Sequence, residues 1–414
     1  MQISLFNLLW FMTLFSIFSN KNKNKASATA VSNKPTMNRM AATSSASLED
    51  RLRGALWSFM AGDALSAPTH WYYGGQYQVV QEYGMEIADY TKPNYNLAGS
   101  ILNKSNLNGG GRSGYGSSRH SEKTIIGDVI NHGKQDLWSP KKSIHYHATL
   151  AKGENTLEVQ IARVLMKSIV DNDGNFNADH FRDAYVKFMT TPGSHNDTYA
   201  GTCHRMFFAN LVHKGLPPKD CPDNDSHNVD VIDSLILPTI VAMAGSCKRN
   251  PNLGSLSAEC VAVTRQSSIS EQIASQWASV VDSSLQDNDE QSFQTALNTF
   301  SKQTIRRLPN PRASDSSTLC ACYLSQSLPA MMDLIAKYLP QNNPWFGLLA
   351  NANVGGENVH RGSIIGAVLG ARASDSNLPT QLKQGLFNHQ EIASEIDAFV
   401  KAVLPKEEEK KEEL

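Results

Sequence analysis

At 414 residues, with 41% hydrophobic and 19% charged side chains, the chain has the composition of a soluble globular protein with a sizeable core. Its 38 basic and 39 acidic residues leave a formal charge of -1. That balance excludes a broad cationic face for nucleic acid, and any anionic ligand must be gripped by local groups.

The first 19 residues, MQISLFNLLWFMTLFSIFS, are apolar and uncharged, and Lys21, Lys23 and Lys25 follow them. They read as a secretory signal, with an uncleaved anchor or the first half of a bipartite plastid or other organelle address as the alternatives. Membrane contact is expected only if this segment stays uncleaved. Residues 20–47 contain no Asp or Glu and read as a linker or transit segment.

The remainder to residue 403 reads as one helical domain over 48–403. Helical periodicity predicts helices over 48–66, 155–170, 178–190, 199–214, 230–246, 257–284, 290–305, 317–338, 361–373 and 388–403. Strand-like alternation is scarce, so the fold class is all-α. In the second of these helices Leu157, Ile161, Val164, Leu165 and Ile169 make one apolar stripe. The preceding GENT, residues 153–156, lies at that helix's N-terminus, where free N–H groups favour an anion or an ordered ligand shell.

Residues from about 70 to 150 read as a long irregular stretch, and GGGRSGYG at 109–116 as a surface loop within it. His145 and His147 alternate there, so an extended backbone puts both rings on one face. Asp197 or Asn196 reads as a cap for the helix carrying His204 and Arg205. The six cysteines lack CxxC spacing, and most of them read as core residues. The charged tail, 404–414, ends KEEL, which differs from the KDEL retrieval signal at one position. With sequons at Asn103, Asn196 and Asn224, the two ends point to the secretory pathway and the endoplasmic reticulum lumen.

GALWSFMAGDALSAPTHW, residues 54–71, resembles the opening signature of the ADP-ribosylglycohydrolase family: Gly62, Asp63, Ala64, Leu65 and Pro68 match, Ser66 replaces a glycine, and His70 stands at the family's glutamate. FGLLANANVGGENVHRGSIIGAVLGA, residues 346–371, is similar to the family's second motif, with Glu357, Val359 and His360 at its metal-binding positions. The other half of the metal site aligns with Gly153, Glu154, Asn155 and Thr156, and residues 320–338 look like the helix before the second motif. The resemblance spans roughly 48–403.

It implies an all-α orthogonal multi-helix bundle with a cleft for ADP-ribose. By that resemblance Asp63, His70 and Glu357 are the catalytic candidates. Gly355, Gly356, Asn353, Asn358, Arg361, His147 and Arg205 are the substrate-binding candidates, and Glu154, Asn155, Glu357 and His360 the metal candidates. Glu154, Glu357, Asp63 and His70 are expected to converge in one cleft. The ligand set is poor in oxygen for two magnesium ions, leaving open a metal-free site or one divalent cation, magnesium, manganese or zinc. The implied function is hydrolysis of a glycosidic bond in free or protein-linked ADP-ribose conjugates or a related nucleotide-sugar. The alternative is a non-catalytic ADP-ribose or nucleotide binder on the same fold.

Overall fold

Helices dominate the described residues. The structure is a computed structural model and describes residues 46–110, 123–226, 228–286, 289–305 and 322–405. The N-terminal signal-like segment, the GGGRSGYG loop past Gly110 and the KEEL ending lie outside the described residues, as do residues 317–321 of one predicted helix. Ser45–Leu414 forms one compact unit. In chain order the helices are α1 (Leu48–Ser66), α2 (Gly75–Tyr83), α3 (Leu157–Asp171), α4 (Ala178–Thr190), α5 (Thr202–His213), α6 (Ile236–Cys247) and α7 (Leu253–Ala262). There follow α8 (Ser268–Leu285), α9 (Glu290–Gln303), α10 (Leu324–Tyr338), α11 (Pro344–Val354), α12 (Asn358–Ala373), α13 (Thr380–Gln384) and α14 (His389–Val403). No helix among the described residues is long and apolar enough to cross a membrane.

The predicted helix over 257–284 is two helices, α7 and α8. The chain breaks between them because Ser267 leaves the helix and turns its Oγ to accept from Ser270 N at 3.0 Å, capping α8. Three helices were not predicted: α2, which buries only Val79, the five-residue α13, and α11. The last had a local signal, since Asn343 caps Trp345 N at 3.0 Å and Pro344 occupies the first helical position. In α3 the stripe behaves as read: Leu157, Ile161, Leu165 and Ile169 are buried, with Val164 packed at the edge.

The centre of the fold is the crossing of α1 and α12. Gly54, Ser58 and Gly62 recur every fourth residue on one helix, and Gly362, Gly366 and Gly370 on the other. A Cβ at Gly62 would lie 2.1 Å from the Gly362 carbonyl, one at Gly366 2.1 Å from that of Ser58, and one at Gly370 2.1 Å from that of Gly54. The backbones therefore touch, which only small residues permit. The pairing runs antiparallel, so the C-terminal end of α1 meets the N-terminal end of α12. A single 3-10 turn, Ala67–Thr69, then delivers His70 and Trp71 beside Glu357.

Two backbone bonds lock that junction, Trp71 N to Gly356 O at 2.7 Å and Gly356 N to Tyr72 O at 3.1 Å. Gly355 has φ +69°, and a Cβ there would sit 2.4 Å from the Tyr72 carbonyl. Trp71 itself has φ +59°, a left-handed conformation that is costly for an aromatic residue and is retained where the surroundings enforce it.

Candidate active site

Glu357 occupies the position just before α12 and is almost fully buried. Three side chains donate to its carboxylate. His70 Nε2 lies 3.1 Å from both oxygens, His360 Nδ1 2.5 Å from Oε1, and the Trp71 indole N–H 2.7 Å from Oε2. Burial would raise the Glu357 pKa, but His70 and His360 more than offset it and hold the carboxyl well below its usual range. For His360 burial works against protonation, and Glu357 beside it reverses the sign, raising the pKa to about 10. His70 goes the other way: burial dominates and brings it down to about 4 despite Glu357. At neutral pH the group is thus a carboxylate, an imidazolium at His360 and a neutral ring at His70.

Glu357 and His360 form part of the wall of a cavity of about 540 Å³, together with Trp71, Tyr199, Arg205 and Asp233. That volume suits a small-molecule ligand. Asp233 comes from the 3-10 turn Ile232–Leu235 and pairs with the buried Arg265. Burial pushes its carboxyl up, and Arg265 only partly counters this. Tyr199 meets Trp71 edge to face at 5.0 Å and stacks on Trp138 at 5.9 Å, which makes an aromatic wall. Lys104 stands exposed on the same lining.

Behind Glu357 a second layer continues inward. His70 Nδ1 lies 2.6 Å from His147 Nε2, and His147 Nδ1 lies 2.8 and 3.0 Å from the two oxygens of Asp197. Asp197 also accepts the backbone N–H of Leu157, the first residue of α3, at 2.8 Å. The expected cap for α5 is thus a cap for α3.

Of the residues expected to converge with Glu357, His70 does so from behind the cavity lining, whereas Asp63 and Glu154 do not line that cavity. Asp63 is fully buried and accepts from Thr156 N at 2.7 Å, Thr156 Oγ1 at 2.6 Å and Asn155 Nδ2 at 2.9 Å. Burial raises its pKa to about 6 against these bonds. Asn155 spends its other amide hydrogen on the Met60 carbonyl at 2.8 Å. Glu154 accepts from Ala151 N at 2.7 Å and Asn196 Nδ2 at 3.3 Å, and it lines a different cavity, between α3, α4 and α14. The physical reason is that Asp63 and Asp197 supply the negative charge that the α3 N-terminus favours, so the loop before it closes onto the protein.

Of the substrate-binding candidates, only Arg205 lines the cavity with Glu357 and His360. Its guanidinium is tied to the Ala200, Asn106 and Gly109 carbonyls and to Thr202 Oγ1. Arg361 is fully buried and donates to Asn351 Oδ1 at 2.7 Å and Gly355 O at 2.9 Å. Asn358 Nδ2 bonds Thr69 Oγ1 at 2.7 Å, and Asn353 clamps both backbone groups of Ile87. Gly355 and Gly356 serve the backbone junction with Trp71 and Tyr72. His147 joins the inner layer. Trp71, Tyr199, Asp197 and Asp233 were not assigned to the site from sequence. Only Trp71, next to His70, had a signal that could have found it.

The fold family implies two magnesium ions, and the residues do not fit them. Among the described residues one group, His70, Glu357 and His360, brings possible ligand atoms within 4.8 Å of one another. It contains a single carboxylate, whereas magnesium demands a near-octahedral oxygen shell. A tetrahedral ion at about 2.0–2.2 Å from its donors would spread them, yet His360 Nδ1 and Glu357 Oε1 stand 2.5 Å apart as hydrogen-bond partners. Val359, at the second of the motif's metal-binding positions, offers no donor and is fully buried. Glu154 and Asn155 are spent elsewhere.

The ADP-ribosylglycohydrolase pattern matches residues 44–412. Among solved structures, one described as "ADP-ribosylglycohydrolase-related protein complex" superposes with a TM-score of 0.54 at 15% identity, covering 86% of this chain and 99% of that chain. That likeness is one of fold. No curated protein sequence matches. With the family pattern running through α1, α12 and every helix between them, the chain belongs to the ADP-ribosylglycohydrolase family.

Proposed function

We propose that the protein hydrolyses the glycosidic bond of an ADP-ribose conjugate or related nucleotide-sugar in the cavity floored by Glu357, with protein charges in the place of magnesium. The observation that carries this reading is the buried Glu357 carboxylate, held by three donors on the wall of a cavity of ligand size.

In this reading the aromatic wall of Trp71 and Tyr199 takes the flat parts of the ligand, and Lys104 at the rim meets its phosphates. Glu357 orients the attacking water and stabilises the oxocarbenium-like charge at the anomeric carbon. The water oxygen bonds to that carbon as the bond to the leaving atom breaks. Glu357 receives the proton of the water, the leaving atom takes a proton from solvent, and exchange with solvent restores Glu357. His360, as imidazolium, fixes Glu357 through Nδ1 and offers Nε2–H to the ligand.

The test is hydrolysis of ADP-ribosyl serine, ADP-ribosyl arginine and O-acetyl-ADP-ribose by the full chain, with and without chelator, beside calorimetric titration with ADP-ribose. Chelator-resistant turnover that Glu357→Gln abolishes supports the reading. Turnover that requires two bound magnesium ions overturns its metal-free part. Retained ADP-ribose binding without turnover selects the second reading, a binding protein, which the enclosure of Asp63 and His70 away from the cavity favours. Lumenal residence is proposed on the sequence signals alone, and removal of residues 411–414 is expected to cause secretion.

A further inference from the structure

Gly201 lines the cavity of Glu357, and its backbone does not ask for glycine. Its φ of -58° and ψ of 159° are open to any residue. A Cβ there would meet side-chain tips and no backbone: Glu158 Oε1 at 3.3 Å, Asp233 Oδ2 at 3.6 Å and the His204 ring at 3.6 Å. The glycines of the α1–α12 crossing differ, since a Cβ on them would strike a carbonyl. What the missing side chain at Gly201 leaves uncovered is Asp233.

Asp233 lines the same cavity, with a side chain only 10% exposed. Its Oδ1 pairs with Arg265, whereas Oδ2 accepts no hydrogen bond from the described residues. Oδ2 faces Gly201, the residue from which α5 starts, and no side chain caps the first N–H groups of that helix. Thr202, the first residue of α5, lines the cavity as well. An acceptor without a donor therefore stands beside donors without an acceptor, in one cavity with Glu357.

That pairing selects the ligand group. An anion brings no hydrogen for Oδ2. A cation brings no acceptor for the N–H groups and meets the positive end of α5. A hydroxyl does both, giving its hydrogen to Oδ2 and accepting from an N–H. It also relieves the cost of a buried acceptor left unmet. We infer that Asp233 and the uncapped start of α5 form a subsite for a sugar hydroxyl of the substrate, and that Gly201 is glycine to keep this subsite open.

The inference deepens the hydrolase reading, from which it takes the sugar, and its test separates the two. Nitrogen-15 magnetic resonance of the full chain follows the Gly201 and Thr202 amides during titration with methyl β-D-ribofuranoside and with its dideoxy analogue, which lacks both ring hydroxyls. A saturable shift of both amides is expected with the riboside, at least about fivefold weaker with the analogue, the loss of one net hydrogen bond. The Thr202 shift should weaken by at least the same factor in Gly201→Ala, whose methyl covers Oδ2, and in Asp233→Asn, which keeps an oxygen for Arg265 and turns a donor towards the hydroxyl. No saturable shift in the native protein, equal binding of the analogue, or unchanged binding in Gly201→Ala overturns the inference. If Asp233→Asn does not fold, Gly201→Ala decides. Calorimetry with ADP-ribose then parts the two ideas. A native protein that takes the riboside but neither binds ADP-ribose nor cleaves its conjugates defeats the hydrolase reading and leaves the subsite standing. One that binds ADP-ribose equally well in its native form and in both variants overturns the subsite and leaves the reading.

Discussion

The two helix starts that the family motifs mark have parted company. At the start of α12, Glu357 stays on a cavity wall with an imidazolium on one oxygen and an indole on the other. At the start of α3, Asp63 and Asp197 reach in from distant segments and take the Thr156 and Leu157 N–H groups. Both ends satisfy the same demand, negative charge at a helix N-terminus. One meets it with a carboxylate that faces a ligand space, the other with carboxylates that face the interior. A motif position retains its chemistry only where the cavity still reaches it.

The largest expected effect falls on the open end. Glu357→Gln keeps size and shape but removes the charge, and kcat/KM is expected to fall about 10²–10³-fold, the loss typical of a preorganised electrostatic group. ADP-ribose affinity measured by calorimetry should change far less. If Glu357→Gln keeps its turnover and a variant at the α3 start loses it, the comparison is inverted and the active end is the closed one.

The closed end should answer in stability. Asp63→Ala leaves three donors without an acceptor, which costs about 3 kcal/mol in chemical denaturation. Asp63→Asn is expected to stay within about 1 kcal/mol. An asparagine oxygen can replace Oδ2 for Thr156 N and Asn155 Nδ2, and its amide can donate to Thr156 Oγ1, which a hydroxyl accepts equally well. A large loss in Asp63→Asn would show that the charge, and not the hydrogen-bond count, holds α3.

The two ends should also respond to pH in separate windows. Asp63 has a folded pKa raised from 3.8 to about 6, so its contribution is full below 3.8 and lost as pH rises through 6. His360 is raised from 6.5 to about 10, so its contribution is full below 6.5 and lost as pH rises through 10. Melting temperature against pH should therefore lose its fall between 4 and 6 in Asp63→Asn and its fall between 7 and 10 in His360→Gln. Exchange of the two windows between the variants would break the assignment.

Much of the fold was legible because its signals are local. The α3 stripe lies within a single helix, whereas the fourfold spacing of Gly54, Ser58 and Gly62 and of Gly362, Gly366 and Gly370 gained its meaning only from the crossing of α1 and α12. The break between α7 and α8 depends on one serine hydroxyl turning inward at Ser267, which periodicity does not register. In the site, Glu357, His360 and Arg205 were found by motif and position. Asp197 and Asp233 were not, because each acts through partners distant in sequence, Leu157 and His147 for one and Arg265 and His360 for the other. The placement of Glu154 was missed for a related reason: alignment gives a residue's position along the chain, while the direction of its side chain depends on Ala151 and Asn196.

The smallest expected effect is at Glu154, and it is the sharpest test of the closed end. Glu154 is 8% exposed and accepts two hydrogen bonds, both at Oε2, from Ala151 N and Asn196 Nδ2. A glutamine carbonyl can accept both, so Glu154→Gln removes a charge without orphaning a donor. The nearest formal charge requirement, that of the α3 N-terminus, is already met by Asp63 and Asp197. Turnover should therefore stay within about twofold and stability within about 1 kcal/mol of the native protein, the range of a substitution that breaks no buried pairing. The aligned position in the family's motif is a metal ligand, where loss of the carboxylate would remove ion binding and activity together. A severe loss of activity in Glu154→Gln with normal folding would mean that the cavity of Glu357 does reach the α3 start when substrate is bound, and that the two ends act as one site.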